Sequence, residues 1–160
     1  MKAYKYSIIY AIFLAIVNFF HFSIERWIIG IRGRSFAFYL LVALFLVFYL
    51  VIFLKHRSKI SNLEIAVLLL TMGFVFFLLC SRTVYMFQLS VLEMFILGIL
   101  LAIEGKKAKD LLPFLILAVA AIVVEISSNL AIGSSFYLLD AWRNALVALC
   151  GYLAASLLIH

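Results

Sequence analysis

Residues 121–155 read AIVVEISSNLAIGSSFYLLDAWRNALVALCGYLAA, and this stretch decides the fold. Two apolar runs flank the turn sequence GSS at 133–135, so the segment predicts two helices joined as an antiparallel hairpin. Together with residues 111–120 before the stretch and 156–159 after it, each run is long enough to cross about 30 Å of hydrocarbon at about 1.5 Å per residue. The stretch therefore predicts two membrane-spanning helices, with Glu125 on the first and Asp140 on the second.

The composition of the whole chain is that of an integral membrane protein. Of its 160 residues, 69% are hydrophobic and 12% are charged, whereas a soluble domain of this size needs far more polar surface. The basic residues form short clusters between apolar runs, which suits topology determinants and argues against nucleic acid as a partner. The two cysteines and the three histidines form no metal-binding motif, so no metal is expected.

Six apolar stretches reach spanning length and predict an all-α, polytopic transmembrane helical bundle. They are Ser7–Ile24, Ser35–Leu54, Leu63–Cys80, Val84–Ile103, Leu111–Ala131 and Phe136–Ile159. The third and fourth are separated by three residues, so one bent or re-entrant segment is an alternative, although their combined length is far too great for one span. We expect one membrane domain over residues 1–160, with three helices in 1–83 and three in 84–160.

The distribution of basic residues predicts the orientation of the bundle. Eight lysines and arginines fall on the side of the N-terminus and four on the other side, so the positive-inside rule places both termini in the cytoplasm. In that orientation Glu125 and Asp140 lie toward the outer leaflet, and Glu93 lies halfway down the fourth helix.

These three acids are the main candidates for a functional site. An acid at the centre of a spanning helix costs roughly 2.5 to 3.5 kcal/mol on a translocon scale, so the three together cost on the order of 10 kcal/mol. Such groups are commonly retained for function. The structural alternative is a set of protonated or hydrogen-bonded carboxyls that tether the helices.

Helical spacing groups other polar residues with the acids. Asp140, Arg143 and Asn144 are spaced i, i+3 and i+4, which permits an ion pair between the first two. Glu125, Ser128 and Asn129 repeat this pattern. The ligand-binding candidates are Glu93, Glu125, Ser128, Asp140, Arg143 and Asn144. Among them, Glu125 and Asp140 are the candidate catalytic pair. An isolated structural ion pair on the sixth helix is the alternative for Asp140 and Arg143.

Four arginines on the outer side are candidates for binding anionic headgroups. They are Arg26, Arg32, Arg34 and Arg82. The first three belong to an expected external loop, Glu25–Arg34, in which two glycines allow the backbone to fold tightly. Guanidinium groups bind phosphate in a bidentate manner. Ordinary anchoring among lipid headgroups is the alternative.

The last three helices resemble the VanZ-like family of small membrane proteins. The segments LEMFILGILLA at 92–102 and EISSNLAIGSSFYLLDAWRNALVALCG at 125–151 carry this resemblance, which covers about Val84–Ala155. The matching positions are Glu93, Glu125, Gly133, Asp140, Asn144 and Gly151. Ser90 and Ser128 stand where the family commonly has histidine and glutamine.

The resemblance implies a multi-pass protein of a prokaryotic cytoplasmic membrane with an externally facing polar site and no cofactor. Since the family is named for a member that raises resistance to teicoplanin, it also implies an effect on glycopeptide antibiotic susceptibility. Our leading hypothesis is an outer-leaflet acidic pocket in the cell envelope that binds a lipid-linked component or another amphiphile, with membrane lipids as partners. The alternatives are a membrane-embedded acid/base enzyme acting on a lipid-linked substrate, a proton-coupled transporter, and a subunit that stabilises a partner.

Overall fold

The computed structural model describes residues 4–32, 34–56, 61–81, 88–105, 111–132 and 138–159, which form six α-helices. The helices are α1 (Lys5–Arg32), α2 (Arg34–His56), α3 (Asn62–Ser81), α4 (Gln88–Gly105), α5 (Leu112–Ile132) and α6 (Leu138–Ile159). This part of the chain contains no β-strand. The expected all-α fold with six helices is confirmed, and the third and fourth helices are separate elements.

The expected external loop at Glu25–Arg34 is wrong, because most of it belongs to α1. This helix continues through Arg32, and α2 begins at Arg34, so the backbone is helical on both sides of position 33. The segment carries the apolar sequence WIIGI at 27–31 between its arginines. A helix satisfies the backbone hydrogen bonds of such a segment internally, and its single glycine costs only about 1 kcal/mol.

The crossing of α4 and α6 is the most extensive helix pair in the described part of the molecule. Two glycines let the backbones touch there. A Cβ atom on Gly98 would lie 1.9 Å from the carbonyl oxygen of Ala148, and one on Gly151 would lie 2.2 Å from the carbonyl oxygen of Phe95. Small residues at helix crossings permit this close approach, which a larger residue would prevent.

Aromatic rings attach α2 to this crossing. The ring of Phe95 on α4 lies 4.8 Å from that of Phe45 and 5.2 Å from that of Phe48, measured between centroids, and both pairs are edge-on. Such pairs contribute about 0.5 to 1.5 kcal/mol beyond the area they bury. α3 packs mainly against α6, and α1 packs mainly against α5. The first helix therefore packs against α5 and α4 more than against α2, its neighbour in sequence.

Carboxylates cap the N-termini of two helices. Glu104 at the end of α4 accepts hydrogen bonds from the backbone N–H groups of Tyr6 and Ser7, each at 2.8 Å, and from the Ser7 hydroxyl at 2.5 Å. Glu64 accepts from the backbone N–H of Ser61 at 2.7 Å, in a capping box local to α3. Negative charge at a helix N-terminus is favourable, so Glu104 fixes the start of α1 to the end of α4.

The outward faces of the bundle are apolar. Each helix exposes large hydrophobic side chains, for example Phe13, Leu50, Leu70, Ile103, Leu115 and Leu139. By length and composition, one helical segment of the described residues could cross a membrane, namely Leu112–Leu130, of which 39% is buried. Shorter apolar helical segments lie at Lys5–Phe20, Val42–Val51 and Asn62–Leu78.

Candidate functional site

Three helices meet at a buried hydrogen-bonded group, the polar triad, which consists of Asn18 on α1, Glu93 on α4 and Ser128 on α5. The side-chain nitrogen of Asn18 donates to the Glu93 carboxylate at 2.7 Å and to the carbonyl oxygen of Leu14 at 2.9 Å. The Ser128 hydroxyl lies 3.3 Å from Oδ1 of Asn18 and 3.0 Å from the carbonyl oxygen of Val124. Asn18 is completely buried and Glu93 is 8% exposed.

The polar triad is rich in hydrogen-bond acceptors. Asn18 uses both of its N–H donors within the protein, one on a backbone carbonyl and one on the carboxylate. The Ser128 hydroxyl has one hydrogen, which it shares between two oxygen atoms of the protein. Its own oxygen keeps acceptor capacity, so the triad suits a ligand group that donates hydrogen bonds, such as a hydroxyl, an amine or an amide N–H.

Glu125 lies less than one helical turn before Ser128 on α5 and is 1% exposed. Its Oε1 atom accepts a hydrogen bond from the side-chain nitrogen of Asn129 at 2.6 Å. Asn129 is also buried. The i, i+4 spacing therefore gives this carboxyl a donor on its own helix.

On α6, Asp140 and Arg143 form the ion pair that their spacing permits, with 3.0 Å between Oδ1 and a guanidinium nitrogen. The Arg143 side chain is 39% exposed and that of Asp140 is 18% exposed. A pair this accessible contributes about 0 to 1 kcal/mol in water. The next residue, Asn144, is buried.

The predicted ligand-binding residues thus belong to several bonded groups. Glu93 and Ser128 are joined through Asn18, Glu125 is bonded to Asn129, and Asp140 is bonded to Arg143. Each acid accepts a hydrogen bond from a protein donor. Arg82 lies outside the described residues, as do the side chains of Arg26, Arg32 and Arg34, so their binding of headgroups stays a prediction.

Two apolar grooves open on the sides of the bundle. The α1–α5 groove has a volume of about 430 Å³, and Ala11, Ala15 and Ala120 line it together with larger apolar side chains. The second groove, between α2 and α3, has a volume of about 230 Å³. Neither of these two grooves is lined by an acidic residue. Within the described part of the chain, no three His, Cys, Asp or Glu side chains come together as a metal site.

Sequence reasoning missed two polar residues that hold helices together. Asn18 stands alone in the apolar run FLAIVNFF at 13–20, and a buried amide in such a run could have been noticed by the criterion applied to the acids. Glu104 follows the expected fourth span and resembles an ordinary helix-end charge. Its role depends on Tyr6 and Ser7, which lie nearly one hundred residues away in the chain.

No family model, no curated protein and no solved structure matches this chain. The resemblance to the VanZ-like family therefore stays a prediction.

Proposed function

We propose that this chain is a polytopic membrane protein whose six helices cross the bilayer with both termini in the cytoplasm. The distribution of polarity supports this proposal. Buried positions include the polar residues Ser7, Asn18, Thr71, Ser90, Glu93, Glu125, Asn129 and Asn144, whereas large apolar side chains face outward on every helix. Soluble monomers rarely expose apolar patches of more than a few hundred Å², and hydrocarbon is the solvent that suits such a surface.

Within this bundle, the polar triad and the neighbouring acids bind the polar head of an amphiphile, such as a lipid-linked component of a prokaryotic cell envelope. The observation that carries this proposal is the bond from Asn18 to Glu93, which holds a carboxylate in the interior beside a hydroxyl from a third helix. Intramembrane acids of this kind mark ligand or ion sites by default.

The chemistry of the triad defines the part of the ligand that it would recognise. Acceptor groups at Glu93 and Ser128 suit hydroxyl, amine or amide donors, and the outer arginines would hold an anionic part of the same molecule. Binding would shield or sequester the amphiphile. An effect on glycopeptide susceptibility would follow if that amphiphile is an envelope precursor or a target of the antibiotic.

The test is to compare the purified wild-type protein with Glu93→Gln, Glu125→Gln and Asp140→Asn. Each protein is reconstituted in nanodiscs containing bacterial envelope lipids, and the retained lipids are identified by native mass spectrometry. We expect wild type to retain a defined amphiphile and Glu93→Gln to weaken its retention about tenfold or more, since a hydrogen bond to a charged group contributes about 1.5 to 3 kcal/mol. Teicoplanin susceptibility of expressing cells is measured in parallel.

Glu64→Gln is the matched control, because this acid caps α3 through exposed hydrogen bonds to Ser61. It should leave lipid retention unchanged. If the variants at Glu93, Glu125 and Asp140 all retain the same lipids as wild type and leave the cells equally susceptible, the proposed function is wrong. Turnover of a lipid-linked substrate that Glu125→Gln abolishes would favour the enzyme instead.

A further inference from the structure

We infer that Glu104 positions Asn18 against Glu93 and so acts on the polar triad from about three helical turns away. Its bonds to Tyr6 and Ser7 set how far α1 lies along α4, and that register determines which residue of α1 faces the Glu93 carboxylate. Glu104 is therefore a positioning residue. Its effect on the binding of an amphiphile rests on the proposed function, whereas the register of α1 can be tested without a ligand.

The bonds that join α1 to α4 have the same spacing on both helices. Ser7 and Asn18 are eleven residues apart on α1, and their acceptors Glu104 and Glu93 are eleven residues apart on α4. Eleven residues of an α-helix make about three turns and about 16.5 Å, so each pair lies on one face of its helix to within about 20°. Because α1 and α4 run in opposite directions, the register that forms one set of bonds also forms the other.

Glu104 can accept these backbone bonds at only one point along α1. Its two oxygens accept from the backbone N–H groups of Tyr6 and Ser7, and α1 begins at Lys5. Backbone N–H groups lack an intrahelical partner only in the first turn of a helix. Glu104 therefore binds the start of α1, and the length of helix from that start determines where Asn18 lies.

The apolar residues between the two sets of bonds do not determine the register in this way. At one-turn intervals they are Leu14 on α1 and Leu97 and Leu101 on α4, and all three are completely buried. Apolar burial is non-directional, so a slide of one turn exchanges one apolar neighbour for another. That slide would bring Leu14 opposite Glu93 and break the bond from Asn18. A single buried asparagine specifies register between packed helices in the same manner.

The other contacts of α1 specify the register less strongly than Glu104 does. The residues of α1 and α5 that line the groove between them are all apolar, and the bond between Ser128 and Asn18 belongs to the triad itself. The Tyr10 hydroxyl lies 3.4 Å from the carbonyl oxygen of Glu93, which is long for a hydrogen bond between oxygens. In the part of the chain that the structure describes, Glu104 thus makes the strongest polar contact to α1 outside the triad.

The test observes the side-chain amide of Asn18 by nuclear magnetic resonance, in the full chain labelled with nitrogen-15 on asparagine. The asparagines are Asn18, Asn62, Asn129 and Asn144, and the signal of Asn18 is assigned by its loss in Asn18→Leu. We expect Glu104→Ala to split this signal or move it by more than its line width, because α1 no longer keeps one register. Asn62, on α3, serves as the internal control, and its signal should stay in place.

The matched control is Glu64→Ala, which removes a carboxylate cap that α3 forms with Ser61. It should lower stability without moving the Asn18 signal, since a loss of stability alone leaves the signal of the folded molecules unchanged. Glu104→Gln keeps the side-chain shape and one acceptor oxygen, so it should give a smaller shift, and it decides the test if Glu104→Ala does not fold. An unchanged Asn18 signal in the folded Glu104 variants would overturn the inference.

The effect on binding is measured in nanodiscs of bacterial polar lipids, with retained lipids identified by native mass spectrometry. We expect Glu104→Ala to lower retention to the same extent as Asn18→Leu. Retention that Asn18→Leu abolishes and Glu104→Ala preserves would overturn the role of Glu104 in binding. If neither Asn18→Leu nor Glu93→Gln changes retention while Glu104→Ala still moves the Asn18 signal, the proposed function is wrong and the control of register by Glu104 stands.

Discussion

Asn18 holds the interior carboxylate of Glu93, and this one amide is bonded to groups on three helices. It donates to Glu93 on α4, accepts from Ser128 on α5 and is anchored to Leu14 on its own helix. Interhelical hydrogen bonds of this kind in membranes contribute about 0.6 kcal/mol on average and about 1.7 kcal/mol at most. Conservative changes in the triad should therefore leave the bundle folded, so that their effects report on ligand binding.

Glu104 has a larger structural role than its position near a helix end suggests. Replacing it with alanine removes one acceptor from two backbone N–H groups and from a buried hydroxyl. We expect Glu104→Ala to lower the free energy of unfolding by about 1 to 3 kcal/mol, since unsatisfied buried donors cost this much. Denaturant unfolding in detergent, followed by circular dichroism, measures the change.

The control for Glu104 is Glu64→Ala, which removes a local and exposed cap. Loss of such a cap costs about 0.5 to 2 kcal/mol, typically about 1 kcal/mol. A greater loss of stability from Glu64→Ala than from Glu104→Ala would contradict the conclusion that Glu104 fixes the start of α1 to the end of α4.

The sequence alone identified the acids, which are costly to place in hydrocarbon. It missed Asn18 and Glu104, whose importance comes from the residues they bond to. Glu93, Glu125 and Asp140 could be recognised because a charge in an apolar run is expensive anywhere. Asn18 carries no charge, and Glu104 lies where a charge is ordinary. Asn18 is unusual as a polar residue in an apolar run. Its bonding partners, like those of Glu104, are tertiary contacts that a single sequence does not record directly.

Among the helices, the crossing of α4 and α6 places the strictest demand on side-chain size. We expect Gly98→Ala to lower the free energy of unfolding by about 3 kcal/mol or more, because the new Cβ would meet the backbone oxygen of Ala148, which cannot rotate away. Thermal unfolding of the purified protein measures this loss.

Gly73 on α3 is the matched control, because a Cβ atom there meets nothing within 4 Å. Gly73→Ala should be neutral or stabilising by up to about 1 kcal/mol, since alanine favours the helix. Equal effects of the two substitutions would show that the α4–α6 backbones do not touch as described.

The bounds of the helices were largely predictable from the sequence, whereas the connection between α1 and α2 was not. Hydropathy located all six helices, because each contains a largely apolar run. The segment after Glu25 was assigned to a loop on the strength of its arginines and glycines. The apolar residues between them extend the helix instead, so charge clusters alone are poor evidence for a helix end.

For the whole molecule, the orientation of the bundle is the most direct prediction. Green fluorescent protein, which fluoresces on the cytoplasmic side, should be active at both termini and when inserted at residues 106–110. Alkaline phosphatase, which is active on the outer side, should be active when inserted at residues 82–87. This follows from the excess of lysine and arginine on the side of the N-terminus. The reverse pattern of reporter activity would place the candidate site on the cytoplasmic face.

Which helices pack together could not be predicted from hydropathy. All six are apolar, and the pairing of α1 with α5 joins segments separated by 79 residues. The glycines at positions 98 and 151 indicate close approach of some helix, but their spacing does not name the partner.

The bonding of Glu104 to the start of α1 also constrains the order in which the protein assembles. Ser7 leaves the ribosome 97 residues before Glu104 does, which at about 5 to 20 residues per second is roughly 5 to 20 s. During that interval the N–H groups at the start of the first helix lack the carboxylate that later accepts their hydrogen bonds. Docking of the start of α1 therefore has to wait for the second half of translation, when α4 has been made.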